Sequence, residues 1–213
     1  AYDLLTDECK TQMYETLEIF EKTYYNNVFN GESKNCTIEN WIGNTFKIKV
    51  TEDILSTGRT NNGYAKQDYI TVKKENDAYK LNINNYIGYT KINRETNQND
   101  INIEIVSKNT YMEYEEYTIK VTNRTENTIL LDRRLDAKTL ALQDSKGVSY
   151  SSYSHELTEP MLTVLAGQTK EITIKFYSTY VSTKDIKYMV FSDVSLQNEQ
   201  GRIDKKIELK ANV

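Results

Sequence analysis

Hydrophobic and polar residues alternate along most of the C-terminal half of the chain. The alternation begins with Ile101, Ile103 and Ile105 and returns in the later hydrophobic segments. A period of two residues is typical of β-strands with one buried face. The hydrophobic segments lie at residues 101–105, 117–121, 129–131, 140–142, 162–164, 172–176, 188–192 and 203–209.

This spacing predicts seven or eight short strands with no helix between them. Turn-forming residues separate the segments, as at 123–127, 144–147 and 166–168. Many short strands joined by such turns are typical of an immunoglobulin-like fold. We therefore predict an all-β immunoglobulin-like sandwich over residues 101–213.

The first 30 residues follow a helical period instead. Apolar and aromatic residues recur every three or four positions and would share one helix face, with Thr11 as N-cap and Gly31 as the stop. The residues of this stripe are Met13, Leu17, Phe20, Tyr24 and Val28. We expect the stripe to pack against a sheet rather than to bind a cofactor.

Four segments with strand character follow the predicted helix, at residues 37–42, 46–50, 69–72 and 79–83. Glu75, Asn76 and Asp77 separate the last two segments and favour a hairpin turn. A helix packed on an antiparallel sheet gives an α+β domain, which we place at residues 1–92. The polar, aperiodic segment 93–100 is predicted to be the linker between the two domains.

Composition and charge limit the classes of partner. The net charge is −4, and basic residues are interspersed with acidic ones rather than clustered, so we expect no nucleic-acid partner. No apolar run approaches the roughly 18 residues of a membrane span. The chain starts at Ala1. We expect a trimmed N-terminus and membrane association only through a tether outside this sequence.

Cys9 and Cys36 are the two cysteines of the chain. They could form a disulfide between the helical region and the first strand, or remain two separate buried thiols. Two cysteines and one histidine are too few for a structural zinc site. The sequence therefore predicts no metal and no cofactor.

Several segments of the C-terminal half resemble the telokin-like, immunoglobulin-fold domains of extracytoplasmic proteins and lipoproteins of Gram-positive bacteria. The matching segments are 117–123, 142–150, 164–172 and 174–176. Ala166-Gly167 stands where members of this family usually have Pro-Gly. The glycine still supplies the turn.

The N-terminal region is similar to the small domains of nuclear transport factor 2 and cystatin-like type that precede telokin-like domains in clostridial envelope proteins. The resemblance rests on residues 1–8, 69–74 and 79–84. It implies an extracytoplasmic cell-envelope protein without catalytic activity. The partners it implies are other envelope proteins or cell-wall components, in protein–protein interaction or scaffolding.

The residues themselves offer little for catalysis. His155 is the only histidine, and no nucleophile motif of the Gly-x-Ser-x-Gly type accompanies it. Glu113, Glu115 and Glu116 form an acidic cluster that we interpret as a solvated strand edge rather than the carboxylate pair of a hydrolase. We predict no catalytic residues.

An alternative function is ligand binding. A helix and a curved sheet in the N-terminal domain could form a pocket lined by Trp41, Tyr69 and Tyr79. Tyrosines near loops of the second domain could form a platform for sugars or peptides, although packing is the simpler explanation. These tyrosines are Tyr150, Tyr153, Tyr177 and Tyr180.

Overall fold

The computed structural model describes residues 1–53, 65–134, 136, 138–152, 157–198 and 200–213. The described chain consists mainly of antiparallel β-sheet with a few short helices. It divides into two compact units, Ala1–Gly88 and Tyr89–Val213.

The first unit begins with short helices rather than one long helix. A 3₁₀ turn at Tyr2–Leu4 precedes α1 (Asp7–Met13), and α2 (Leu17–Phe20) continues through a π-helical turn (Glu21–Tyr25) into α3 (Asn26–Phe29).

Two threonine caps explain the break between α1 and α2. The Oγ1 atoms of Thr6 and Thr16 accept the N–H groups of Cys9 and Ile19, so each threonine starts its own helix. The expected cap Thr11 lies inside α1 instead. Asn30, with φ of 47°, ends α3 in the left-handed conformation directly before Gly31.

A four-stranded antiparallel sheet follows in the order β1-β2-β3-β4. Its strands are β1 (Lys34–Ile42), β2 (Thr45–Glu52), β3 (Ala65–Glu75) and β4 (Ala78–Asn82). Asn76 and Asp77 both have positive φ values, which is the geometry of a two-residue hairpin turn.

The buried side chains of the first unit come from both the helices and the sheet. Phe20 packs against Tyr14 and Tyr24 with ring centroids 5.5 and 5.9 Å apart. Phe20, Tyr24 and Val28 of the predicted stripe are buried, whereas Leu17 is 51% exposed. The apolar residues buried here are Leu5, Cys9, Tyr14, Phe20, Tyr24, Val28, Ile48, Val50, Ile83, Tyr86 and Ile87.

Two sheets make up the second unit. One has the strand order β12-β7-β6-β5, and the other has the order β10-β9-β13-β8-β11 with β14 paired to β13. The strands are β5 (Tyr86–Gln98), β6 (Ile101–Tyr111), β7 (Tyr114–Asn123), β8 (Thr128–Leu130), β9 (Leu140–Asp144), β10 (Ser149–Ser151), β11 (Thr163–Val164), β12 (Thr169–Tyr177), β13 (Ile186–Gln197) and β14 (Ile203–Asn212). A short helix, α4 (Glu159–Leu162), precedes β11.

Both sheets of the second unit contribute to one hydrophobic core. The core includes alternate residues of β6 and β7, such as Ile103, Ile105 and Ile119, and residues of β13, such as Phe191. The arrangement is sandwich-like, because each sheet buries one face and leaves the alternating polar residues outside.

Residues 93–100 differ from the expected linker. They form the end of β5 and the turn into β6, in which Asn99 and Asp100 both have positive φ values. Two successive left-handed residues of this kind close a tight β-hairpin. The polar side chains reflect an edge strand rather than a loop.

Candidate binding surface

Seven side chains of β1, β2 and β3 form one face of the first sheet, which we call the Trp41 face. The strand register sets Glu39 beside Lys47 and Lys47 beside Tyr69. In the neighbouring row Thr37, Lys49 and Gln67 are aligned in the same way. The face consists of Thr37, Glu39, Trp41, Lys47, Lys49, Gln67 and Tyr69.

Two aromatic rings lie together at one end of this face. The ring centroids of Trp41 and Tyr69 are 5.5 Å apart with an interplanar angle of 58°. The Lys47 ammonium lies 5.9 Å from the Trp41 ring centroid. Trp41 remains 47% exposed. It sits where the β1–β2 register shifts between Asn40 and Ile42, and such a bulge re-aims the side chain.

The Trp41 face points away from the π-helical turn. Lys66 and Asp68 of β3 both contact Tyr24, through a cation–π contact of 4.7 Å and a hydrogen bond of 2.6 Å. Gln67 and Tyr69 alternate with these residues along the strand and therefore lie on the opposite face. The face is open to solvent.

The chemistry of the face is mixed. A shallow groove on it is lined by Thr37, Glu39, Lys47, Lys49 and Gln67, which supply a hydroxyl, a carboxylate, two ammonium groups and an amide. Hydrogen-bond donors and acceptors thus stand next to an exposed aromatic ring. Such a combination can bind a ligand that has both apolar and hydroxylated faces.

The structure brings Trp41 and Tyr69 together but leaves Tyr79 apart. Tyr79 is 73% exposed and pairs with Lys74, five residues beyond Tyr69 along β3, about 17 Å at the strand rise. The three residues therefore do not line one pocket. Tyr14, Phe20 and Tyr24 of the helical region are buried.

A buried polar network occupies the helix side of the sheet. Asp68 accepts hydrogen bonds from the Tyr24 hydroxyl and from the N–H groups of Asn84 and Asn85, at 2.6, 3.1 and 2.8 Å. Burial and the nearby Asp68 carboxylate keep the pKa of Tyr24 far above its usual range. The hydroxyl is therefore a fixed donor to Asp68 at neutral pH.

Both cysteines are free thiols in the structure. Cys9 is buried in α1, and burial raises the pKa of its thiol to about 11. Cys36 is exposed on β1. The disulfide considered from the sequence is not formed, and the alternative of two buried thiols holds only for Cys9.

Glu115 is buried, which differs from the solvated edge expected for residues 113–116. Its carboxylate lies 3.0 Å from the Lys184 ammonium and 3.3 Å from that of Lys108. The side chains of Glu115 and Lys184 are only 3% and 4% exposed. The sequence did indicate this burial, since Glu115 lies two residues before Tyr117 and therefore on the same buried face of β7.

The acidic residues at turns stabilise their own turns. The Oδ1 atoms of Asp132, Asp136 and Asp144 accept the N–H two residues later in the chain. No three His, Cys, Asp or Glu side chains converge on a metal-sized site in the part of the chain that the structure describes. His155 and Tyr153 lie outside the described residues.

No helix within the described ranges combines the length and the apolar character needed to cross a membrane.

Tyr150 and Tyr180 are partly buried, and Tyr177 is exposed beside Tyr114, with ring centroids 6.1 Å apart. The loop tyrosines thus do not form a single exposed platform in the described part of the chain.

Comparison with known proteins gave no match. No protein-family model, no curated protein sequence and no solved structure matches this chain.

Proposed function

We propose that the chain is a non-catalytic binding module of the cell envelope of a Gram-positive bacterium, and that its Trp41 face binds cell-wall carbohydrate. In this proposal an α+β domain of the nuclear transport factor 2 or cystatin-like type carries the binding face. A telokin-like, immunoglobulin-like sandwich follows it and acts as a spacer or scaffold.

Packing supports the finer description of the fold. The helices and the sheet of the first unit contribute jointly to its buried residues, as an α+β layer pair requires. In the second unit, two antiparallel sheets share one core. The segments that resemble telokin-like domains include β7, β9 and β12, all of which belong to those sheets.

The observation that carries the binding proposal is the exposed Trp41 ring beside Tyr69. A pyranose ring has an apolar face of C–H groups that packs on an aromatic ring. Its hydroxyl groups need donors and acceptors at the rim, which Glu39, Lys47 and Gln67 can supply. An open face suits a long polymer better than an enclosed pocket does.

Three described groups that could act in catalysis, Cys9, Glu115 and Asp68, are held in structural roles. Burial raises the pKa of Cys9 to about 11, which lowers its thiolate fraction at neutral pH below that of an ordinary cysteine, and a thiol is a much weaker nucleophile than a thiolate. Two lysines neutralise Glu115, and four donors, including the Tyr69 N–H, hold Asp68. These contacts support binding rather than hydrolysis.

Fluorescence tests the carbohydrate proposal directly, because Trp41 is the only tryptophan in the chain. Titration with soluble glycan strands of peptidoglycan should change the intensity or wavelength of its emission. Trp41→Ala should weaken co-sedimentation with insoluble peptidoglycan by about fivefold or more, since one aromatic contact contributes about 1 kcal/mol.

Tyr79→Ala provides the matched control. It removes another exposed aromatic residue of the same unit but should leave binding unchanged. Unchanged Trp41 emission at saturating glycan, or equal loss of binding in both variants, would contradict the proposal. Cell fractionation tests the location, and recovery of the native protein in the cytosol would exclude an envelope role.

A further inference from the structure

Strand β1 is exposed along nearly its whole length. It pairs with β2 on one side, and no described strand pairs with its other side. Residues 35–41 are all exposed, including Ile38 at 67%. The open edge of this nine-residue strand offers a row of backbone donors and acceptors to a further strand.

Other edge strands carry features that discourage pairing. The Leu81 carbonyl of β4 accepts the Thr6 N–H, and Leu5 forms a bridge to the same residue. Side chains of β5 accept the N–H groups of Lys210 and Asn212 in β14. Ser152 Oγ donates to the Lys175 carbonyl of β12. These contacts occupy backbone groups that would otherwise attract another strand.

β1 has less protection, and its bulge lies near one end of the strand, between Asn40 and Ile42. It contains no proline, its single lysine is the first residue, Lys34, and that ammonium is paired with Glu32 at 2.8 Å. Ile38 occupies the middle of the strand, beside the buried Ile48 of β2. An exposed isoleucine at the centre of an open edge is the position that a pairing strand would cover.

We propose that β1 pairs with β1 of a second copy of this chain, in antiparallel orientation about a two-fold axis at Ile38. All nine residues of the strand then find a partner. Ile38 faces Ile38 of the other copy, Cys36 faces Asn40, and Thr37 faces Glu39. Such an interface is self-complementary, as two-fold symmetry requires.

The sequence of β1 selects this register over its neighbours. A shift by two residues in one direction sets Glu39 directly opposite its own copy, and like charges in that position repel. A shift in the other direction pairs only residues 34–40 and sets Ile38 opposite Cys36. The Ile38 register alone combines full backbone pairing with an apolar centre.

Pairing joins the two four-stranded sheets into one continuous sheet. Because the two-fold axis is perpendicular to the sheet, the Trp41 faces of both copies lie on the same side. The two Trp41 residues are then about 20 Å apart at the strand rise. If the Trp41 face binds a polymer, as proposed above, the dimer binds it at two points with increased avidity.

Mass in solution is the first test. Light scattering during size exclusion should give twice 24.8 kDa at high protein concentration and a fall towards 24.8 kDa on dilution. Ile38→Lys should give the monomer mass throughout, because it places two ammonium groups on the axis. Leu165→Lys is the matched control, since Leu165 is also exposed but lies outside β1, and it should leave dimerisation unchanged.

Disulfide trapping tests the register. Asn40→Cys should form two intermolecular disulfides with the native Cys36, since directly opposed residues of antiparallel strands lie within disulfide reach. Glu39→Cys places the new thiol on the other face of β1 and should not crosslink. Asn40→Cys combined with Cys36→Ser should also fail to crosslink.

A wild-type chain that remains monomeric at high concentration would overturn the proposal. The open edge of β1 would then be a candidate binding site for an extended segment of another protein. A dimer that persists in Ile38→Lys would place the interface elsewhere. A dimer in which Asn40→Cys does not crosslink with Cys36 would exclude the Ile38 register. These tests are independent of carbohydrate binding, so the two proposals can fail separately.

Discussion

Gln98 accepts a hydrogen bond through Oε1 from the backbone N–H of Lys210, at 2.8 Å. Two residues earlier on β5, Thr96 accepts the N–H of Asn212 through Oγ1, at 3.0 Å. The two side chains thus satisfy outward-facing donors of the edge strand β14 in place of a neighbouring strand. They link the two sheets of the second unit along one side.

Replacing Thr96 with Val and Gln98 with Leu should expose this edge. Each substitution removes one acceptor, and we expect a loss of about 1 kcal/mol in the free energy of unfolding for each. Hydrogen exchange of the Lys210 and Asn212 amides should accelerate in the double variant. Thr90→Val, at an exposed threonine of the same strand, should change neither quantity.

Unchanged exchange at Lys210 and Asn212 in the double variant would show that the side chains of β5 do not protect β14.

The same relationship explains why the sequence suggested a linker at 93–100. An edge strand whose side chains bind the backbone of another strand has no apolar alternation, because its partners are backbone N–H groups and not a hydrophobic core. Only Asn99 and Asp100 carried a local signal, that of a hairpin turn. The role of Gln98 requires β14, which lies more than 100 residues away in the chain.

Where burial alone decides the pattern, the sequence predicted the strands. Ile103, Ile105 and Ile119 alternate with polar residues and belong to the core. The helical stripe was predicted only in part, because Thr16 competes as an N-cap and starts a new helix. In the candidate site, Trp41 and Tyr69 were predicted, but their register with Lys47 depends on how β1, β2 and β3 pair.

Tyr24→Phe should destabilise the first unit. The substitution removes the hydroxyl donor to the buried Asp68 while the apolar ring packing remains. Asp68 retains the N–H donors of Asn84 and Asn85, so we expect a loss of about 1–2 kcal/mol in the free energy of unfolding. Urea denaturation measures this loss.

Tyr25→Phe is the matched control, because Tyr25 is adjacent in the chain but 39% exposed. The free energy of unfolding of this variant should be almost unchanged. Equal stability of the Tyr24 and Tyr25 variants would mean that the hydrogen bond to Asp68 contributes nothing.

Lys184→Met should destabilise the second unit more strongly. It removes one of the two ammonium groups that neutralise the buried Glu115 carboxylate. Loss of one partner of a buried ion pair typically costs about 3–5 kcal/mol, and Lys108 should reduce the effect to the lower end of that range. The midpoint of denaturation in urea gives the measured value.

The double variant Glu115→Gln with Lys184→Met should recover part of the lost stability, because no uncompensated carboxylate remains. A double variant less stable than Lys184→Met alone would show that the cost arises from packing and not from charge.

The two thiols should differ in reactivity. Cys36 is exposed and should react rapidly with a thiol reagent in the native protein, whereas the buried Cys9 should react only after unfolding. The measurement requires a protein concentration low enough to leave β1 unpaired. Cys36→Ser should abolish the rapid phase, and two rapid equivalents in the native wild-type protein would contradict the burial of Cys9.

The raised pKa of Cys9 also predicts a loss of stability in alkali. The thiol has an ordinary pKa of 9.0 and a pKa of about 11 in the folded chain, so above pH 9 the unfolded chain releases a proton that the folded chain retains. The free energy of unfolding should therefore fall between pH 9 and pH 11 and be unaffected by this group at lower pH. Comparison of Cys36→Ser with Cys9→Ala combined with Cys36→Ser isolates this contribution, because the tyrosines that also titrate in alkali are present in both. An equal alkaline loss in the two variants would mean that the folded chain does not hold the Cys9 proton.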